Sequence, residues 1–479
     1  MQLIYEKSQP GRRALTLDAL DVPTCSLPAD LCRAQDARLP EMAEIDIVRH
    51  FTHLSQRNVG IDDTFYPLGS CTMKYNPKIT EVAANEPGMA QLHPHFSSSP
   101  VFESECQGAY ALIHELERQL AEVAGMKAAS LQPIAGAHGE LTGTLLMAAY
   151  HRDHGNTHKD TILIPDSAHG TNPASAVMAG FQVVEVPSDK DGTIPLETFE
   201  AMLTDKVAGI MLTCPNTHGL FETDVAKISE LAHAKDALLY YDGANLNAIV
   251  GQCRPGDLGF DVMHYNLHKT FATPHGMGGP GCGPVGVGER LLPYLPGPRV
   301  VKKDDSFTLA TPEKSIGRMA AFFGNFLIAV RAYAYMRHYG DAGMKEISRN
   351  AVLNANYIYA RLKDTYQSAF PGNYMHECIF TALPQAEKGV HATDIAKSLL
   401  DRGFHAPTIY FPLTVKECLM IEPTETESKE TLDAFCDAML AIAEAAESDP
   451  DSLHAAPRST PVGRLDEVKA ARDLNCACL

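Results

Sequence analysis

Between residues 161 and 241 four short apolar runs, Thr161 to Ile164, Phe181 to Val186, Gly209 to Thr213 and Leu238 to Tyr241, are separated by stretches of helical periodicity such as Asp224 to Lys235. Runs with so little polar alternation need cover on both faces. A parallel sheet between helical layers supplies it, and a half-exposed antiparallel sheet does not. The alternation of strand and helix therefore predicts an α/β fold built on a large, mostly parallel sheet. In such sheets functional groups collect beyond the carboxyl ends of the strands, so the residues that follow each run are the ones to read for chemistry.

Several of these strand ends carry polar groups. Gln132-Pro-Ile-Ala-Gly-Ala-His-Gly-Glu140 is a small-residue loop running into a helical pattern at Leu141 to Tyr150. A helix start of this kind offers main-chain N–H groups to a phosphate, although a plain strand-to-helix turn explains its glycines as well. Asp166-Ser-Ala-His169 follows the run ending at Ile164, and His169 is placed either to face a planar ligand or to act as an ordinary structural histidine. Thr213-Cys-Pro-Asn-Thr-His218-Gly forms another such turn. Asp242 ends a very apolar strand, where a carboxylate is costly unless it is paired.

Lys269 ends a later strand-like run, and after it come Gly276, Gly278, Gly279, Pro280, Gly281, Gly283 and Pro284. So little side-chain bulk permits close backbone approach, and partial burial would make the amine a nucleophile toward an aldehyde. A surface lysine before a glycine-rich loop is the plainer alternative. Taken together, a strand-end aspartate to pair with a protonated ring nitrogen, a strand-end lysine, a phosphate-cradling helix start and a ring-facing histidine describe a pyridoxal phosphate site.

The rest of the chain divides around this region. Residues 1–105 read as an arm with ordered loops, with one helical interval from Met42 to Leu54 and a hydroxyl-rich loop at Tyr66 to Lys78. Residues 106–310 are the expected large cofactor-binding domain, opened by a helix from Gln107 to Ala124 that Gly125 ends. A long connecting helix is predicted from Glu313 to His338, N-capped at Thr311 with Pro312 at its first position and stopped near Gly340, within a segment 311–345. Residues 346–455 read as a smaller α+β domain (Tyr374 to Ala382, Ala392 to Arg402, Thr408 to Phe411, Cys418 to Ile421, Lys429 to Ala445), and 456–479 as a tail.

Composition closes off other classes. With 40 basic and 59 acidic side chains the formal charge is -19, which repels nucleic-acid backbones, and no basic patch offsets it. No apolar run is long enough for a bilayer and the amino terminus has no signal-peptide pattern, so a cytoplasmic protein is expected. The 12 cysteines are scattered without metal-like spacing and read as reduced thiols, Cys476 and Cys478 as incidental ones at a polar terminus. His151, His154 and His158 lack a carboxylate at a fitting distance, so no metal is expected.

Long ordered motifs then point to a family. Tyr66-Pro-Leu-Gly-Ser-Cys-Thr-Met-Lys-Tyr-Asn-Pro, Ala168-His-Gly-Thr-Asn-Pro-Ala-Ser-Ala, Asp242-Gly-Ala-Asn-Leu-Asn-Ala, Asn266-Leu-His-Lys-Thr-Phe, His405-Ala-Pro, Ile421-Glu-Pro-Thr-Glu and Arg464-Leu-Asp-Glu-Val-Lys-Ala-Ala-Arg resemble the P-protein family of the glycine cleavage system. The length matches the catalytic half, subunit 2, of its two-chain members. The resemblance implies the pyridoxal phosphate-dependent transferase fold of aspartate-aminotransferase type, with a smaller α+β C-terminal domain. It implies pyridoxal 5'-phosphate held on Lys269, its ring nitrogen protonated beside Asp242, His169 stacked on the ring, Gly136, Ala137 and His138 around the phosphate, and Thr270 as a hydroxyl donor. The implied reaction is decarboxylation of glycine with transfer of the aminomethyl group to the lipoyl arm of H-protein. The implied partner is subunit 1, in a heterotetramer (α2β2). The segments Ser70 to Lys74 and Gly276 to Pro284 are the expected walls of a channel for that arm. The competing expectations are another pyridoxal phosphate lyase or aminotransferase of the same fold, and a non-catalytic scaffold half, which should have lost Lys269 and Asp242.

Overall fold

The structure is a computed structural model that describes residues 2–35, 37–275 and 281–473. The chain forms two compact units, residues 1–63 and 64–479. In the first, helix α1 (Glu44–Ser55) buries His50 and leaves Ile45, Val48 and Phe51 exposed. The segment from Thr64 to about 105 belongs to the larger unit, where Leu68 bridges Ile421.

In the larger unit a short helix at Lys78–Ala84 and further short helical turns precede α2 (Gln107–Ala124), which Gly125 ends at φ 69°. The sheet that follows has seven strands: β1 (Ala128–Ser130), β2 (Thr161–Pro165), β3 (Gln182–Val186), β4 (Val207–Thr213), β5 (Leu238–Gly243), β6 (Val262–Tyr265) and β7 (Val285–Val287), in the order β1-β7-β6-β5-β4-β2-β3. Neighbours from β6 to β3 pair in parallel, and β7 is antiparallel to both β6 and β1. This is the mostly parallel sheet that the apolar runs predict. Its residues feed two cores: Ile210, Leu212, Leu239 and Tyr241 pack toward Leu116 and Leu120 of α2, while Ile162, Met211, Leu238 and Tyr240 pack toward Leu146 and Met147 of α3 (Gly136–Asp153). Alternate residues facing two covered sides explain why β2, β4 and β5 show no polar alternation, whereas the edge strand β3 is mostly exposed and carries Gln182 and Glu185. The register sets Thr213 beside Asp242 and Asp242 beside His264, so three strand ends lie in a row.

A two-stranded hairpin, β8 (Arg299–Lys303) with β9 (Ser306–Ala310), precedes the second sheet. That sheet is antiparallel: β10 (Gln367–Ser368), β11 (Cys378–Thr381), β12 (Thr408–Ile409) and β13 (Cys418–Ile421), in the order β10-β11-β13-β12. Ile379, Leu419 and Ile421 share a core with Ile395 and Leu399 of the helix Ala392–Leu400 and with Phe435 and Met439 of the helix Lys429–Ser448. Of the strand-like runs expected here, Tyr374 to Ala382 pairs only over Cys378–Thr381, and Thr408 to Phe411 stops at Ile409 because Tyr410 takes a φ of 57°.

The long connecting helix is displaced from its expected position. It spans Phe326–Leu362, so Thr311 is not its cap and Glu313 to Asn325 is not helical. The Thr-Pro start signal is overridden by tertiary contacts. Ile316 N donates to Tyr294 O at 3.0 Å, Met319 N to Gln132 Oε1 at 2.8 Å, and Lys314 pairs with Asp153 at 2.6 Å. Gly324 turns at φ 72° where a Cβ would stand 2.4 Å from Leu131 O. Gly340 does break the helix, with φ 61° and ψ -172°, but a second helical stretch resumes directly after it. Among the described residues no helix is long and apolar enough to cross a membrane.

Candidate active site

The strand ends open onto a cavity of about 490 Å³ lined by residues from both sheets, among them Gly136, Ala137, Glu140, His169, Thr213, Asp242, Asn266, Lys269 and Thr408. A cavity at the carboxyl ends of parallel strands is the position that open α/β sheets give their ligands.

Asp242 forms its floor. It is 2% exposed and accepts from Asn172 Nδ2 at 3.0 Å and from Ala244 N at 2.9 Å, with His264 Nε2 3.4 Å away. Burial pushes its carboxyl up, yet His264, these two N–H donors and Lys269 outweigh it, so Asp242 stays below the usual carboxylate range. His264 is itself held by Tyr240 OH at 2.6 Å and Asn266 Nδ2 at 3.0 Å. Glu140 behaves in the opposite way: burial and then the charge of Asp242 push it up to about 8. At neutral pH the cavity therefore holds one carboxylate and, beside it, one carboxylic acid. Thr171 Oγ1 donates to Glu140 Oε1 at 2.9 Å.

Lys269 is half-buried, and its Nζ donates to the main-chain oxygen of Ser70 at 2.8 Å. Ser70 has a φ of 63°, an uncommon conformation for a side-chain-bearing residue, and it must be held there. Its N–H donates to Glu377 Oε2 at 2.7 Å, the preceding Gly69 O accepts from Thr408 Oγ1 at 2.7 Å, and Thr72 Oγ1 donates to Glu422. Further along, Lys74 is buried and paired with Glu425 at 2.7 Å. The Tyr66–Lys78 loop is thus pinned at many points. Ser70 and Cys71 do reach the cavity wall, whereas Lys74 is committed to its ion pair.

Behind this loop His376, Glu377 and Glu422 are fully buried, and their ligand-type atoms lie within 4.8 Å of one another. Both ring nitrogens of His376 and one oxygen of each glutamate lack a hydrogen-bond partner, His376 Nε2 standing 3.8 Å from Glu377 Oε1. Burial and the neighbouring Glu422 push Glu377 up, and burial holds Glu422 at about 7 and His376 down at about 3.

The sequence candidates sort as follows. Lys269, Asp242, His169, Gly136 and Ala137 come together on the cavity. His169 presents an exposed ring there, with Nδ1 3.1 Å from Thr171 Oγ1 and its edge toward Phe411. The His138 ring turns back, its Nδ1 accepting from Ile134 N at 3.3 Å, so only its main chain faces the cavity region. Thr270 is fully buried with an unpartnered Oγ1 and stands outside the lining, while Thr213 is a lining hydroxyl with an unpartnered Oγ1. His151 and His154 are bonded to the main-chain oxygens of Ala208 and Tyr150. Gly276 to Pro280 lie outside the described residues, as do Cys476 and Cys478. His264 and Glu377 were not singled out in the sequence; Ser70 entered only within the quoted loop motif and as the start of an expected channel wall, Glu140 only as the end of the quoted Gln132–Glu140 loop, and Glu422 only within the quoted Ile421-Glu-Pro-Thr-Glu motif.

The site fits pyridoxal phosphate. The first helical bond of α3 runs from Gly139 N to Ala135 O, which leaves the N–H groups of Gly136, Ala137 and His138 for an anion. Glycine at 136 leaves room for Asn266, because a Cβ would stand 2.4 Å from Asn266 Oδ1 and push that side chain aside. The unpartnered Thr213 Oγ1 and Glu140 Oε2 add polar atoms, and Asp242 is a carboxylate ready for a ring N–H.

Fold and site together define a pyridoxal phosphate-dependent enzyme of aminotransferase type. Residues 106–283 match the family described as aminotransferase class I and II, and residues 347–457 the family described as glycine dehydrogenase, C-terminal domain. The chain is 54% identical to a probable glycine dehydrogenase (decarboxylating) subunit 2 of Chlorobium chlorochromatii, over 100% of this chain and 99% of that one. A relative with the same designation from Bacillus licheniformis is 52% identical, over 98% of this chain and 97% of its own. The chain belongs to the glycine dehydrogenase (decarboxylating) subunit 2 family. Among solved structures it resembles an inhibitor-bound glycine decarboxylase (P-protein), with a TM-score of 0.73 at 20% identity over 87% of this chain and 93% of that one. It also resembles a Lactobacillus brevis glutamate decarboxylase, with a TM-score of 0.66 at 14% identity over 89% and 96%. At these identities the likeness is one of fold.

Proposed function

We propose that the chain is the catalytic subunit of a two-chain glycine decarboxylase of the glycine cleavage system, releasing carbon dioxide from glycine and passing the aminomethyl group to the lipoyl disulfide of H-protein. The observation that carries this reading is the convergence of Lys269, Asp242 and the start of α3 on one cavity, in a chain of this family. A scaffold half would have no need of such a set. Pyridoxal phosphate, when bound, supplies an electron sink for the pair left on the α-carbon as the carboxylate departs.

The protein's own groups prepare that chemistry. Lys269 offers the amine that carries the cofactor, and Ser70 O gives the same amine a hydrogen-bond partner when it is free. Asp242 keeps a proton on a ring nitrogen, the His169 ring covers a planar face, and the N–H groups of residues 136–138 hold the phosphate. Thr213 and Glu140 Oε2 are hydrogen-bonding groups for the remaining ring substituents. Partner chains are subunit 1, in a heterotetramer with two copies of each, and H-protein. The designation of the relatives as second subunits supports the first. Free thiols at all the described cysteines agree with a cytoplasmic setting.

Mixing the chain with subunit 1, lipoylated H-protein and carboxyl-labelled glycine should release labelled carbon dioxide, and Lys269→Ala should reduce release to background. Borohydride should fix the cofactor onto Lys269. Release no greater than that of Lys269→Ala would overturn the reading. A smaller effect is expected of Gly136→Ala. Its Cβ forces Asn266 aside and disturbs the phosphate cradle, so a cofactor absorbance titration should show binding about tenfold weaker, roughly 1.4 kcal/mol.

A further inference from the structure

Cys71 and His275 form a pair on the cavity wall that the roles above leave unused. Cys71 Sγ lies 2.9 Å from His275 Nε2, and both residues line the cavity together with Lys269. The sulfur is placed by the same pinned turn that places the amine, since Ser70, whose main-chain oxygen accepts from Lys269, immediately precedes it. His275 is backed by His268, ring edge to ring face at 4.9 Å and 84°, and His268 Nδ1 accepts from Cys282 N at 3.3 Å.

The protonation states follow from the surroundings. Burial pushes the Cys71 thiol up, Glu422 and Glu377 push it the same way, and Lys269 opposes them. Burial, with Lys269 adding to it, holds His275 down at about 4. The resting pair is a thiol donating to a neutral imidazole. A thiol is a poor nucleophile toward a disulfide, so the arrangement suppresses exchange with an incoming disulfide while keeping a proton within the cavity.

The reaction proposed above needs such a proton. We propose that Cys71, oriented by His275, gives its proton to the sulfur that departs when the acceptor disulfide opens. The inference rests on the glycine decarboxylase reading. The electron pair left on the glycine α-carbon forms a bond to one sulfur of the disulfide, the S–S bond breaks, and its pair leaves on the second sulfur. That sulfur takes the proton from Cys71 Sγ, and the Cys71 thiolate recovers a proton from water by way of His275. The disulfide is reduced by two electrons and the glycine carbon is oxidised by two, so no further reductant enters. Cys71 is the catalytic residue of this step and His275 a positioning residue.

The test compares wild type, Cys71→Ala, Cys71→Ser and His275→Gln, each reconstituted with subunit 1 and pyridoxal phosphate and given glycine and lipoylated H-protein. Cys71→Ala should lower the maximal acceptor-dependent rate about 10²-fold, within the range of a lost general acid, with cofactor content retained. Cys71→Ser, which keeps a hydroxyl proton, should recover part of the rate, and His275→Gln should lose about tenfold. The wild-type acceptor step should be slower in deuterium oxide. A wild-type rate in Cys71→Ala, or an acceptor step in wild type that deuterium oxide does not slow, would overturn the inference. So would a Cys71–lipoyl mixed disulfide formed at the rate of turnover, because the sulfur would then be a nucleophile. Wild type inactive with H-protein would instead sink the glycine decarboxylase reading, and the inference with it. If Cys71→Ala fails to load cofactor, the deuterium comparison on wild type decides alone.

Discussion

Asp242→Asn is expected to cut glycine turnover about 10²- to 10³-fold while leaving the cofactor in place, the scale seen when one preorganised charge-stabilising group is removed. The substitution is nearly isosteric. It retains an oxygen for one of the two donors now satisfied by the carboxylate, Asn172 Nδ2 and Ala244 N, and turns an N–H toward the other. That opposed pair costs about 1–3 kcal/mol of local stability. The larger consequence is electrostatic, because a neutral amide cannot hold a proton on a ring nitrogen. The neighbour reports the same change. Glu140 is pushed up to about 8 by burial and by the charge of Asp242, so in the variant it should ionise at lower pH. Labelled carbon dioxide release and cofactor content measured on one preparation separate these effects. Undiminished release would remove Asp242 from the role given to it here.

Asp242 was readable from sequence because it puts a charge at the end of an apolar strand, where its cost demands a purpose, and Lys269 because it follows an apolar run, although the strand itself stops at Tyr265 and the lysine sits in the turn beyond it. The parallel sheet was readable for a related reason: β2, β4, β5 and β6 are buried throughout, and strands covered on both faces spell out continuous apolar runs. What supports the lysine was not readable. Ser70 meets Glu377 across 307 residues, Thr72 meets Glu422 across 350, and Cys71 meets His275 across 204. No local periodicity records such pairs. The same holds for the connecting helix. Thr311-Pro312 carries the local signature of a helix start, but contacts to Tyr294, Gln132 and Asp153 hold that segment out of helix until Phe326. Gly340 was readable as a break because its backbone angles depend on its own lack of a side chain.

The loop that carries Ser70 and Cys71 is held, besides its contacts to Glu377, Thr408 and Glu422, by a buried ion pair, and this leads to the second large effect. Lys74 Nζ donates to Glu425 Oε1 at 2.7 Å, to Asn247 Oδ1 at 2.8 Å and to Tyr335 OH at 3.1 Å, with its side chain 1% exposed. Burial lowers the lysine and Glu425 offsets that burial. Glu425→Ala leaves a buried ammonium with two neutral partners and is expected to cost about 3–5 kcal/mol. The sign of its pH dependence follows. A lysine whose folded pKa is depressed contributes stability that is present above its unfolded value of about 10.5 and lost as pH falls. The penalty of Glu425→Ala should therefore be full at pH 7 and shrink as pH rises toward 10, since the neutral amine no longer needs the carboxylate. Denaturant unfolding of wild type and variant at pH 7 and pH 9.5 measures the difference. Lys74→Met combined with Glu425→Leu should recover most of the loss, because an apolar pair of similar volume leaves no buried charge. A penalty that does not change with pH, together with a double variant as unstable as Glu425→Ala, would show that Glu425 acts through packing. If the ion pair does hold the loop, Glu425→Ala should also weaken cofactor retention, since Ser70 O would lose its fixed place beside Lys269.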